Sequence, residues 1–287
     1  MALSEPSWSA CRAAHIARLQ PVVDAHLERA RNSIKHPIMD FMFTYYPYAP
    51  AQLLRWTPGW GVQLKGEIPA DLAALTEAAI IDDTWSLQID RLPERRREAI
   101  DYIIALLEAT AQRAPRFGCF GLHEWAMVYR SEAIRHPQLP LRFSPDETAR
   151  IVESLPVGCS HFDAFRFFTP AAKPLNRLQP TRKQQIELDQ PGCLHVNMDL
   201  YKWSQQFYPW INSDIIADAF ALATAIREVD MRASPYDVSE YGLSPIRIET
   251  KEGRDEYADH QRDFFERSQP LRRRMAEAFR DLRAALP

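Results

Sequence analysis

Apolar residues recur at three- and four-residue steps near the start of the chain, at Ile16, Leu19, Val23 and Leu27. They predict a long amphipathic helix over 11–33 with a charged outer face. Residues 36–46 read as a second helix, so rich in aromatics that it must be packed on most sides. There His36 is either oriented by Asp40, four residues on, or simply starts the helix before Pro37. Residues 50–56 give one or two helical turns, and the Trp- and Gly-bearing stretch through Pro69 is a lid or a wrapping loop. Helices follow over 71–81 and 93–112, the second with Asp90 at its cap. Phe143-Ser-Pro-Asp-Glu147 carries a capping box, with Ser144 at the cap, Pro145 in the first turn and Glu147 reaching back, and starts a helix that runs to about Leu155.

Residues 159–168 read as a β-strand. The period of two would turn Cys159, His161 and Asp163 to one face and Ser160, Phe162, Ala164, Arg166 and Phe168 to the other. Both faces are largely apolar, so the strand is expected to be covered on both sides. Burying Asp163 and Arg166 is costly unless they pair, either as a structural bridge or as part of a site. Residues 170–183 read as a long, proline-rich basic loop whose Asn176, Arg177, Arg182 and Lys183 are available to a negatively charged ligand. Over 212–227 the chain gives its cleanest core helix, capped by Asn212 or Ser213 and ended by Ser234-Pro235. A short strand at 245–249, a cap at Thr250 and a charged helix over 254–286, breakable at Pro270, complete the chain. The fold expected is mainly α with a few short β-strands (α+β), a single domain over 1–287 with a helical arm at 1–35.

Composition narrows the function without naming it. With 287 residues, 46% apolar and 25% charged, the chain is long enough for a substantial core. A net charge of −3 leaves no electrostatic footprint of a dedicated nucleic-acid binder, so any DNA contact needs a local basic patch. The runs Arg95–Arg97 and Arg272–Arg274 read as solvated helix faces. Four dispersed cysteines form no disulfide framework, and no apolar run approaches a bilayer's thickness, which together with an amino terminus lacking an apolar leader reads as cytoplasmic with no membrane partner. No dinucleotide or phosphate-binding glycine loop is present, so no nucleotide cofactor is expected.

Several residue groups carry chemistry. His161, Asp163, His195 and Asp199 are suited to hold a divalent transition metal, although Asp199 alternatively caps a helix. The turn around Gly118 and Gly121 delivers His123 and Glu124 at a helix start. Met127 stands where a zinc protease would have its second histidine. Glu124 shares a helical side with Val128 and Glu132 and is either a general base or an acid favoured by the helix dipole. Asp230, Arg232, Tyr236 and Asp237 crowd a helix end in the manner of a binding rim. The cysteines are taken as packing.

Taken together, His-Pro-x-x-Asp-Phe-x-Phe-Thr-Tyr-Tyr at 36–46, Phe-Gly-Leu-His-Glu-Trp-Ala-Met-Val-Tyr-Arg at 120–130, His-Phe-Asp-Ala-Phe-Arg-Phe-Phe-Thr-Pro at 161–170 and Asp-Met-Arg-Ala-Ser-Pro-Tyr-Asp at 230–237 resemble a bacterial family commonly labelled 3-methyladenine DNA glycosylase, over about 36–268. The resemblance implies a DNA-repair hydrolase that cleaves the N-glycosidic bond of an alkylated purine flipped out of DNA. Tyr45, Tyr46, Trp125 and Tyr236 would then stack on the base, with His123, Arg166, Asp230 and Arg232 beside it. Glu124 and Asp163, with His161, would activate water or stabilise a cationic sugar. The residues themselves also support an enzyme for a small anionic or aromatic metabolite, using His161, Asp163, His195 and Glu124 as acid–base groups or metal ligands; a non-enzymatic small-molecule binder is the third reading. Both enzymatic readings require distant segments to converge in one cavity.

Overall fold

The computed structural model describes residues 1–131 and 138–287, so Glu132 lies outside the described residues. The chain is mainly helical with one small sheet, the α+β class read from the sequence. It divides into two compact units, residues 1–108, 200–221 and 270–287 in one and 109–199 and 222–269 in the other. Among the described residues no helix is long and apolar enough to cross a membrane.

The first unit contains the sheet, with strands β1 (Ala2–Leu3), β2 (Gln63–Lys65), β3 (Ala78–Ile81) and β4 (Thr84–Leu87) in the order β1-β2-β4-β3. The β1 and β2 strands run parallel and the other pairs antiparallel. Its helices are α1 (Glu5–Arg31), α2 (Phe41–Thr44), α3 (Pro50–Leu53), α4 (Ala70–Ala73) and most of α5 (Glu94–Gln112). The helix expected over 71–81 is therefore corrected to a single turn followed by a strand. Asp82 and Asp83 both adopt positive φ, 48° and 55°, the geometry of a two-residue hairpin turn, and this pairs Ile81 with Thr84. The helix over 36–46 likewise shrinks to α2. Asp40 accepts the His36 backbone N–H at 2.8 Å and the guanidinium of Arg29, while His36 Nδ1 accepts from the backbone of Ile38 and Met39, so His36 starts a turn. The core gathers Trp8, Leu19, Leu53, Trp56, Leu64, Trp85, Ile100, Ile103 and Trp210.

His15 sits in this core, 3% exposed, with Nε2 3.0 Å from the Leu53 carbonyl. Burial lowers its pKa below the ordinary value of 6.5, more than the Leu53 carbonyl raises it. As pH falls the unfolded chain therefore takes up the proton first, and stability that is complete above pH 6.5 is lost between that value and the lowered folded pKa. The expected loss is up to about 1.4 kcal/mol per pH unit. Urea midpoints measured between about pH 5 and 8 should fall on the acid side, and His15→Gln should flatten that slope; an equal slope in both proteins would contradict it.

The second unit holds α6 (Leu122–Ala126), α7 (Pro145–Ser154), α8 (Phe162–Phe165) and α9 (Gln185–Leu188). Both units share α10 (Leu194–Gln206), α11 (Ser213–Arg232) and α12 (Lys251–Ala284). The capping box of α7 forms as read: Ser144 Oγ accepts from the Glu147 N–H and the Glu147 carboxylate accepts from the Ser144 N–H. Thr250 Oγ1 accepts from the Gly253 N–H at the start of α12. That helix continues through Pro270, with Tyr257, Gln261, Phe264 and Ser268 before it and Leu271, Met275, Phe279 and Leu282 after it buried at three- and four-residue steps. Arg272 is 1% exposed and so departs from the solvated face expected of it.

The strand expected at 159–168 is absent. The Asn176 side chain takes the place of a neighbouring strand, accepting the Cys159 N–H at 2.7 Å and donating to the Cys159 carbonyl at 2.9 Å. With the ladder satisfied at one residue, the chain turns into α8 at Phe162. The segment 245–249 is also not a strand, although Ile246 and Ile248 are fully buried; the Ile246 N–H bonds the Arg232 carbonyl at the end of α11.

Candidate metal centre

Three helices of the second unit deliver the chemistry. Gly121 opens α6 with φ +68°, and a Cβ there would touch Tyr257, at 3.4 Å from Cε2 and 3.5 Å from Oη. Glycine is favoured there by the left-handed turn, since the contact with Tyr257 would be an ordinary one. The turn sends His123 and Glu124 inward, buried at 5% and 4% exposure. At the start of α10 comes His195, with Asp199 one helical turn further on, in the interior of the helix and not at its cap. The last turns of α11 supply Arg227 and Asp230, three residues apart and therefore on one side.

These side chains meet. His123 Nε2 lies 2.9 Å from Asp230 Oδ1, and the rings of His123 and His195 are 4.4 Å apart, edge to face. His161 stacks on the other side of His195 at 5.5 Å, its Nε2 3.3 Å from Asp199 Oδ2. Arg227 Nη1 bridges Glu124 Oε1 at 3.0 Å and Asp230 Oδ2 at 2.9 Å. The two oxygens of Asp230 are thus divided: Oδ2 is held by the guanidinium and Oδ1 is turned to the imidazole.

The contact between His123 and Asp230 is a close ion pair with poor hydrogen-bond geometry. Both Nε2 and Oδ1 are buried, and neither has a partner in normal hydrogen-bond geometry. One ligand atom each from His123, His195 and Asp230 can be chosen so that all lie within 4.8 Å of one another. Adjacent donors about 2.1 Å from a common ion are about 3 Å apart, so the His123–Asp230 spacing is that of two ligands on one metal. Two imidazoles and one carboxylate form the facial set that first-row transition ions accept with coordination positions to spare.

The electrostatics are those of an imidazolium–carboxylate pair whose proton a bound cation would displace. Burial lowers the pKa of His123, but the charge and hydrogen bond of Asp230 together with the Glu124 charge outweigh it, and the net shift is upward. Burial also raises the Asp230 pKa, yet His123, His195 and Arg227 reverse it and keep the carboxylate ionised. For His195, burial and the nearby His123 charge act together and drive the pKa well below 6.5, leaving a neutral ring with a lone pair for a metal. Burial likewise lowers the pKa of His161 less than Asp199 raises it.

His123 and His195 line a small, partly enclosed cavity of about 20 Å³ together with Cys119, Cys159, Cys193 and Tyr257. A space of that size holds about one water molecule. Burial raises the pKa of all three thiols, that of Cys159 to about 12, so at neutral pH they are protonated and unreactive.

Of the residues singled out from the sequence, His123, Glu124, His161, His195, Asp199 and Asp230 fall in this cluster. Asp163 does not share it as a ligand: its carboxylate is engaged by Arg166 at 3.2 Å and Arg182 at 3.1 Å, the structural bridge among the two readings, and the Arg166 guanidinium lies 4.1 Å over the Phe167 ring. The ligand set expected, His161, Asp163, His195 and Asp199, thus gives way to one in which only His195 is retained. Trp125 is fully buried and donates its indole N–H to the Ala233 carbonyl, and Tyr236 is equally buried, so neither presents a free ring. Arg232 bonds Ser244 and Glu256, and Tyr45 stacks on Phe41 in the first unit. Two residues escaped the sequence reading. Arg227 was visible as a cation directly after the apolar run of α11; Tyr257 carries no signal within its charged helix.

Comparisons of this chain with protein-family models, curated proteins and solved structures find no match.

Proposed function

We propose that this chain is a metal-dependent enzyme acting on a small molecule, with a divalent first-row transition ion held by His123, His195 and Asp230. The observation that carries the reading is the convergence of one ligand atom each from His123, His195 and Asp230 within 4.8 Å of one another, with His123 Nε2 2.9 Å from Asp230 Oδ1 in poor hydrogen-bond geometry. An ion there would act as a Lewis acid toward whatever enters the adjoining cavity. Arg227 fixes the orientation of Asp230 by occupying Oδ2, a supporting role that metal sites commonly assign to a second ring of hydrogen bonds. His161, backed by Asp199 and stacked on His195, is placed to exchange a proton beside the centre.

This reading is preferred to base excision because the cavity beside the cluster admits one water-sized group, and the rings of Trp125 and Tyr236 are enclosed by protein. A flipped purine needs both a slot and exposed ring faces.

Elemental analysis of protein purified without chelators should find about one transition-metal ion per chain, retained through dialysis. After stripping, Mn(II), Fe(II), Co(II) or Zn(II) should restore it. Protein that is metal-free as isolated and takes up none of these ions overturns the proposal.

A further inference from the structure

Tyr257, on α12, lines the same cavity as His123 and His195. It is fully buried, and its hydroxyl makes no hydrogen bond that meets normal geometry; the nearest partner is the Cys119 sulfur, a weak one. A buried hydroxyl left without a proper partner is costly and is ordinarily satisfied by something else in the space it faces. Here that space is the cavity of about 20 Å³ that the two histidines also border.

The ring is fully enclosed by protein. It is backed by Gly121, where even a Cβ would be in contact with Cε2 and Oη. One turn later on α12, Gln261 donates to the Gly192 carbonyl at 2.8 Å and to Cys119 Sγ at 3.3 Å, fixing the neighbouring wall. Burial first, and then the proximity of Cys119 and Asp230, keeps the phenol protonated, so it is a permanent donor.

We propose that Tyr257 Oη is the hydrogen-bond donor to the exogenous ligand of the metal, a water-sized oxygen or halide ligand that occupies this cavity and completes the coordination begun by His123, His195 and Asp230. The inference rests on the metal-centre reading and adds to it a ligand-binding group, a ligand size and a ligand polarity. The donor selects ligands that accept a hydrogen bond, and the cavity excludes any whose metal-bound end exceeds about one heavy atom.

The test uses the full chain loaded with Co(II), whose visible absorption reports its ligands, and fluoride as the smallest hydrogen-bond acceptor that binds such ions. Wild-type protein should bind fluoride, and Tyr257→Phe should bind it about tenfold more weakly, the loss expected for one hydrogen bond to a charged acceptor. Co(II) affinity should stay within about twofold, and the thermal midpoint of the metal-free variant should fall little, because the hydroxyl loses only a weak contact with the Cys119 sulfur. Equal fluoride affinity in the two proteins overturns the inference and leaves the metal centre standing. So does a Co(II) protein that ignores fluoride, or a variant that no longer folds, since the hydroxyl would then be serving the protein itself. If wild-type protein takes up no Co(II), the metal-centre reading falls and this inference with it.

Discussion

Arg227→Leu protein is expected to be about 3–5 kcal/mol less stable than the wild type in urea at neutral pH. Arg227 is 1% exposed and one of its nitrogens bridges two carboxylates, Glu124 at 3.0 Å and Asp230 at 2.9 Å, which are themselves 4% and 0% exposed. The bridge as a whole adds little net stability, because desolvating three charges offsets most of their attraction. Removing the cation alone is different: it strands two anions in a low dielectric where neither finds water. Leucine fills much of the volume, so the loss measures charge and not cavity. Replacing Glu124 by Gln in the same background should recover part of the loss by removing one of the two stranded charges. A deficit below about 1 kcal/mol would mean that the carboxylates are compensated elsewhere. The variant should also bind metal about 10- to 100-fold more weakly, because nothing then fixes Asp230 Oδ2.

His195→Ala and Asp230→Asn should each weaken metal binding on the order of a hundredfold or more, as expected when a site of three protein ligands loses one. Asp230→Asn is the sharper of the two because it keeps the shape of the side chain and removes only the charge that faces His123. His161→Ala provides the internal comparison. Its ring stacks on His195 and its Nε2 faces Asp199, but it is not among the three residues whose ligand atoms converge. Its effect should stay within about tenfold, the range of a supporting residue. Competition against a chelator of known affinity measures all three. If His161→Ala and His195→Ala lose metal equally, the ligand set drawn from the geometry is wrong and the centre lies nearer Asp199.

Several parts of the fold were legible because their causes are local. The capping box at Ser144 and Glu147 closes within four residues, and the stripe of Leu19 and Val23 on α1 is buried as its spacing predicts. The run of α11 to its Ser-Pro break is equally local. Strands were misread in both directions. At 159–168 the alternation was real, but no second strand meets it, and one asparagine supplies the missing ladder. At 78–81 the strand depends on a turn at Asp82 and Asp83 and on Trp85 packing behind it, neither of which the apolar run itself announces.

The sequence by itself determined the helices, their caps and the stock of imidazoles and carboxylates available, because backbone hydrogen bonding and apolar periodicity act over a few residues. Only the tertiary structure decided which acid faces which histidine. Asp163, placed beside His161 by sequence, is claimed by two arginines, whereas Asp230, far from His123 along the chain, comes within 2.9 Å of it. The physical reason is that charge pairing depends on distance in space and on the loss of water around the pair, and both are set only when α6, α10 and α11 are packed together.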